Sequence, residues 1–152
     1  MKIKKKLGIT GLAKSHQYCE GAKIVLKAKI DSIFQLIDKF ILEDSDENLH
    51  DLRISIRRLR YVLEVFSVCY GEKLLTEVLE FSKYLQDLIG EGRDLDVMAE
   101  KVRELAAEIG ADIPLNLFEK FRNDGISVRK RIKMDLIRFK GHKLIIRLQK
   151  MR

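Results

Sequence analysis

The stretch Leu49–Phe66 limits the fold more than any other part of the chain. Placed at about 100° per residue, Leu49, Leu52, Ile56, Leu59, Leu63 and Phe66 line up as one apolar stripe. That is the core-facing pattern of a bundle helix. His50, Arg53, Arg57 and Arg60 recur at steps of three and four and form a second stripe beside it, while Arg58 stands on another flank. Like charges four residues apart disfavour a helix by a few tenths of a kcal/mol. Arg53 and Arg57 accept that cost with no acid at the same spacing to relieve it. The economical explanation is an anion that arrives from outside, since a guanidinium fork can donate two parallel hydrogen bonds to phosphate. A merely solvated basic face is the competing reading of the helix on its own.

A resemblance weighs in favour of the anion. The pattern His50-x-x-Arg53-x-x-x-Arg57-Arg58-x-Arg60, followed by Leu63 and Phe66, resembles the CHAD family, the conserved-histidine α-helical domain. A second element, Leu88-Ile89-Gly90-Glu91-Gly92-Arg93-Asp94-Leu95-Asp96-Val97, is similar to that family's turn of the form L-G-x-x-R-D-L-D-V. The likeness covers roughly residues 15–110. It implies an all-helical fold and binding of inorganic polyphosphate through a basic groove. Arg53, Arg57 and Arg60 would grip phosphate oxygens and His50 would donate from the same row. Arg58, Arg93, Lys23 and Lys27 would widen the positive field.

The 152 residues are one domain's worth. Charged residues make up 35%, with an excess of +7, which favours polyanionic partners: nucleic acid, polyphosphate or an acidic membrane surface. No stretch reaches the ~18 uncharged apolar residues of a membrane span, and the basic start Met1–Gly11 lacks a signal peptide's apolar run. Cys19 and Cys69 are far apart and form no metal-type pair. Apolar helical surroundings make both read as small core residues, unpaired, in a reducing cytoplasm. His16, His50 and His142 have neither H-x-x-x-H spacing nor a cysteine partner, so no metal or other cofactor is implied.

The expected architecture is an all-α antiparallel bundle. Residues 1–13 read as a flexible basic tail, 14–110 as a four-helix unit and 115–152 as a basic helical segment. Within the unit, a helix over 15–42 carries Ile24, Ala28, Phe34, Ile37 and Ile41, with Ile30, Ile33 and Phe40 widening the stripe. Lys23 and Lys27 share a face that either lines a groove with the arginines or is solvated. Ser45 or Asp46 caps a helix over 46–69, and Gly71 closes it as a left-handed cap. A third helix runs over 72–89, Gly90 and Gly92 break it, and Arg93 opens a fourth that ends near 109. Arg93 either pairs with Glu91, Asp94 or Asp96 to fix that turn or reaches the anion. From Leu115 the chain is helical again, with Gly125 as a kink or split, and Arg129 and Lys133 read as a solvated face. His142–Arg152 aligns with His50–Arg60, either as the start of a degraded second CHAD half in a truncated or minimal member or as a chance likeness in a biased segment. In the first case the missing half leaves core exposed, and self-association is one way to cover it.

Three functions follow from this reading. The preferred one is non-catalytic binding of inorganic polyphosphate or a similar linear polyanion. The alternative is a nucleic-acid-binding helical module, against which the lack of an aromatic stacking row counts. An enzyme acting on phosphate chains would need a Gly-rich phosphate loop or paired carboxylates for a metal, and neither occurs on the basic helix.

Overall fold

The computed structural model describes residues 17–150. The expected tail at 1–13, His16 and the last two residues of the second motif lie outside them. The described residues hold five α-helices and no strand: α1 Tyr18–Leu42, α2 Asp46–Val65, α3 Glu72–Ile109, α4 Leu115–Gly141 and α5 Lys143–Lys150. Short turns make α1 to α4 run up and down in succession, and α5 folds back onto α1 and closes the ring. The all-α bundle expected from the sequence is therefore the observed one.

The core forms a single cluster. Leu26, Ile30, Ile33, Ile37 and Phe40 of α1 meet Leu49, Leu52, Ile56, Leu59 and Leu63 of α2. Val78, Leu85, Leu88 and Ile89 of α3 join them, with Val128, Ile132, Leu136 and Phe139 of α4 and Ile145 and Leu148 of α5. The predicted stripe of α2 is buried residue for residue as far as Leu63. In α1 the stripe is rotated from its expected centre. The flanking set Ile30, Ile33 and Phe40 is fully buried, whereas Ile24, Ala28 and Phe34 are half-buried and Ile41 is exposed.

Local chemistry sets the ends of α2 and α3. Ser45 caps α2 by accepting from the Asn48 amide at 3.2 Å, and Asp46 and Glu47 complement its positive end. Asn48 ties the turn by donating to the Glu43 carbonyl at 2.8 Å. Helix α2 stops at Val65, and a 3-10 turn covers Ser67–Cys69. Gly71 has φ −64° and precedes α3, so it is no left-handed cap. Gly110 does take the left-handed conformation, φ 64°. The Ala111 amide there reaches back to the Ala106 carbonyl at 2.9 Å and closes α3.

Two expectations fail here. The first is the helix break at Gly90 and Gly92, because α3 runs unbroken through both for 38 residues. Tertiary packing supplies what propensity withholds. A Cβ on Gly92 would lie 3.0 Å from Ile132 Cδ1 and 3.4 Å from Val128 Cγ1, so the missing side chain lets α3 and α4 approach closely. With no new helix starting at 93, Asp94 caps nothing. Gly125 likewise sits within the continuous α4.

The second failure concerns the cysteines. Cys19 and Cys69 form a disulfide, with Cα atoms 5.3 Å apart. Neither is a core residue, since Cys19 is exposed and Cys69 half-buried. The antiparallel return of α2 brings its end over the start of α1, where Tyr18 also donates to the Val65 carbonyl at 2.7 Å. The expected unpaired thiols thus give no ground for a reducing compartment. No helix among the described residues is long and apolar enough to cross a membrane.

Candidate functional site: the α2/α3 seam

His50, Arg53, Arg57 and Arg60 occupy an arc of about 80° on α2, and 50 to 60 spans about 15 Å along the axis. This arc turns toward α3. Arg60 Nη1 donates to Gln86 Oε1 at 2.9 Å, and a Cβ on Gly90 would lie 3.9 Å from Arg53 Nε. Arg93 Nη1 reaches the Asp46 carbonyl at 3.4 Å. Gln86, Gly90 and Arg93 follow one another at i, i+4 and i+7, so they share one edge of α3. The seam is therefore walled by His50, Arg53, Arg57 and Arg60 on one side and by Gln86 and Arg93 on the other. At Gly90 the α3 wall is bare backbone. This α3 edge was hidden from sequence reading by the supposed break at 90–92, which removed the register linking Gln86 to Arg93.

The remaining predicted residues fall elsewhere. Arg58 lies on the outer flank of α2 away from the seam and is exposed. Lys23 and Lys27 share the side of α1 that carries Asp31 and Asp38. That side faces α4 and α5, because Asp31 accepts from Gln149 at 2.8 Å and Asp38 pairs with Lys140 at 2.6 Å. The structure brings together His50, Arg53, Arg57, Arg60 and Arg93, and sets Arg58, Lys23 and Lys27 apart from them.

The seam cations have almost no acidic neighbours. Among the described residues, His50, Arg53, Arg57 and Arg58 meet no carboxylate, and Arg60 only a distant one, Glu64 at 3.9 Å. Arg53 Nε is shut off from solvent with no hydrogen-bond partner among those residues. Several cations of α4 are paired: Arg131 with Glu91, Arg138 with Asp135 and Lys140 with Asp38. Lys133 holds Asp44 at 2.6 Å. Arg129, expected on a solvated face, is gripped by Asp44, Asp46 and Asp96. This knot pins α4 to the α1–α2 turn and to α3. Burial pushes the Asp44 carboxyl up, but hydrogen bonds from Lys133 and Arg129 outweigh burial and hold it below the usual range. Burial also raises Asp96. The Arg129 charge opposes that rise, neighbouring Asp46 adds to it, and Asp96 ends above the usual range.

His142 does not reproduce the surroundings of His50. It sits between α4 and α5, half-buried against the Phe81 ring, with Nε2 3.5 Å from Glu77 Oε1. His50 stands exposed on the second turn of α2.

The first motif thus lies on α2 and the second on the facing stretch of α3. A family model, the CHAD domain, matches residues 11–114. The chain belongs to the CHAD domain family. The matched span holds α1 to α3 and every seam residue, and it ends one residue before α4. CHAD domains are binding modules associated in general with polyphosphate. No curated relative and no solved structure matches the chain.

Proposed function

We propose that this CHAD domain binds inorganic polyphosphate, or a similar linear phosphate polyanion, along the α2/α3 seam and performs no catalysis on it. The observation that carries this reading is the clustering of His50, Arg53 and Arg57 on one face of a packed helix, none of them meeting a carboxylate among the described residues, with Arg53 Nε closed off from solvent and unpartnered. Arg129, Arg131, Lys133, Arg138 and Lys140, by contrast, are held by acids of the fold itself. Charges fixed on a packed helix and left unmatched raise the local potential where an oxyanion would sit.

Each residue then has a part. Arg53, backed against the bare backbone at Gly90, and Arg57 present donors to successive phosphates. Arg60 is oriented by Gln86 and extends the row, and His50 continues it toward the α2 N-terminus. Arg93 supplies charge from the opposite wall. Arg58, Lys23 and Lys27 contribute only to the long-range field. A chain of phosphates without bases suits a row of point donors that offers only Tyr61 as an exposed ring nearby.

The test is competition. Long-chain polyphosphate should displace duplex DNA or RNA from the protein at low concentration, with an affinity that falls steeply with salt. Nucleic acid that resists displacement would favour the nucleic-acid reading and refute this one.

A further inference from the structure

The outer face of the α3/α4 hairpin is under-packed in a single copy. Helix α3 is about 57 Å long against about 30 Å for α2, so beyond Asp96 it overshoots the α1–α2 turn together with the start of α4. No residue from 93 to 127 is buried. The overshoot has a regular apolar stripe: Met98, Val102, Leu105 and Ile109, at steps of four, three and four. Met98, Leu105 and Ile109 are 51%, 57% and 67% exposed. The stripe lies beside the α3/α4 contact, on the far side of α3 from α2, and therefore away from the anion seam. A two-helix projection with an open heptad stripe is marginal in water.

We infer that this stripe is a dimer interface in which α3 packs antiparallel against α3 of a second copy about a two-fold axis. The register follows from the spacing. Met98 meets Ile109 of the partner subunit, and Val102 meets Leu105 of the partner subunit. The same axis returns Ile109 to Met98 of the partner subunit and Leu105 to Val102 of the partner subunit, so all four layers are apolar. Charge complementarity identifies the occupant as a second copy. Lys101 and Glu108 each precede a stripe residue, Val102 and Ile109, and so lie on one edge of it. In the antiparallel register Lys101 faces Glu108 of the partner subunit, and the axis repeats the pair. Among the described residues of the single copy, Lys101 has only Glu104 on its own helix, at 3.4 Å and well exposed. An edge with one charge of each sign, placed to exchange under two-fold rotation, is self-complementary. A partner of single-signed charge would be matched by a single-signed edge. The contact is one helix face wide, smaller than the ~800 Å² per partner of a standard interface, so the dimer should dissociate in the micromolar range.

The test is sedimentation equilibrium of the full chain over about 1–300 μM, with circular dichroism to confirm folding of each variant. The wild type should approach twice the 17.7 kDa chain mass. Lys101→Glu sets like charges against each other twice and should raise the dissociation constant about tenfold. The swap Lys101→Glu with Glu108→Lys should restore the wild-type value, and Leu105→Glu should leave a monomer. A wild type that stays monomeric or forms larger species, a dimer indifferent to Lys101→Glu, or a swap that fails to rescue would each overturn the inference.

Discussion

Gly90 and Gly92 offer a paired perturbation in which the structure predicts a gain at the first position and none at the second. Both lie inside α3, where alanine is favoured over glycine by about 0.8–1 kcal/mol. At Gly90 an added Cβ finds only Arg53 Nε at 3.9 Å, an ordinary contact. Gly90→Ala should therefore keep the propensity gain of about 0.8–1 kcal/mol. At 2–4 °C per kcal/mol for a chain of this size, the melting temperature should rise by roughly 2–4 °C. At Gly92 the same Cβ would lie 3.0 Å from Ile132 Cδ1, with Leu49 Cδ2 behind it at 3.8 Å. Ile132 is fully buried and has little room to rotate away. Overpacking of this kind costs about 1–3 kcal/mol. Gly92→Ala should then end between about neutral and 2 kcal/mol destabilised. Thermal and urea unfolding followed by circular dichroism would measure both. If the glycines marked a helix break, alanine would be unwelcome at both positions, and the two variants would lose stability together. A common fall would refute the continuous α3 and, with it, the alignment of Gln86 and Arg93 on one wall of the seam.

Further outcomes follow from the ion knot and the disulfide. Arg129→Met would strand Asp44, Asp46 and Asp96 around a partly buried gap, at a cost of about 1–3 kcal/mol, between the values for exposed and buried pairs; urea unfolding at low salt checks it. Asp44 titrates lower in the folded chain than unfolded. Its stabilisation is complete above the unfolded value near 3.9 and is lost as pH falls through the lower folded one. Asp44→Asn should accordingly flatten the acid limb of the stability curve. The Cys19–Cys69 bridge spans a separation of 50 residues, for which loop entropy allows up to about 4 kcal/mol. Reductant should lower the wild-type melting temperature, by at most about 8–16 °C, and leave Cys19→Ser unmoved.

What was legible in the sequence followed from periodicity. The stripe of α2 and the basic row beside it came straight from steps of three and four, because a helix that must bury Leu49 to Leu63 has only one way to face. The Ser45 cap was equally local. What failed depended on distant partners. Nothing near Gly92 announces that Ile132 and Val128 need its missing side chain, so a packing glycine read as a breaker. Cys19 and Cys69 looked like core residues because their neighbours in sequence are apolar, while the bond depends on where α2 returns. Arg129 reads as solvated because its three acids come from the α1–α2 turn, the first residue of α2 and α3. Conversely, the lack of a local acid beside Arg53 and Arg57 is legible in the sequence, and among the described residues the fold brings no distant acid to them.

The most direct measurement compares wild type with the double variant Arg53→Ala, Arg57→Ala for binding to long-chain polyphosphate by titration calorimetry at moderate salt. Losing two charge-assisted contacts at an open surface should weaken binding by at least about 30-fold, roughly 2 kcal/mol. It should also reduce the slope of log affinity against log salt by about 1.4, with the helical spectrum and melting temperature retained. Equal affinity of the two proteins, with the variant folded, would contradict the placement of the polyanion on the α2/α3 seam.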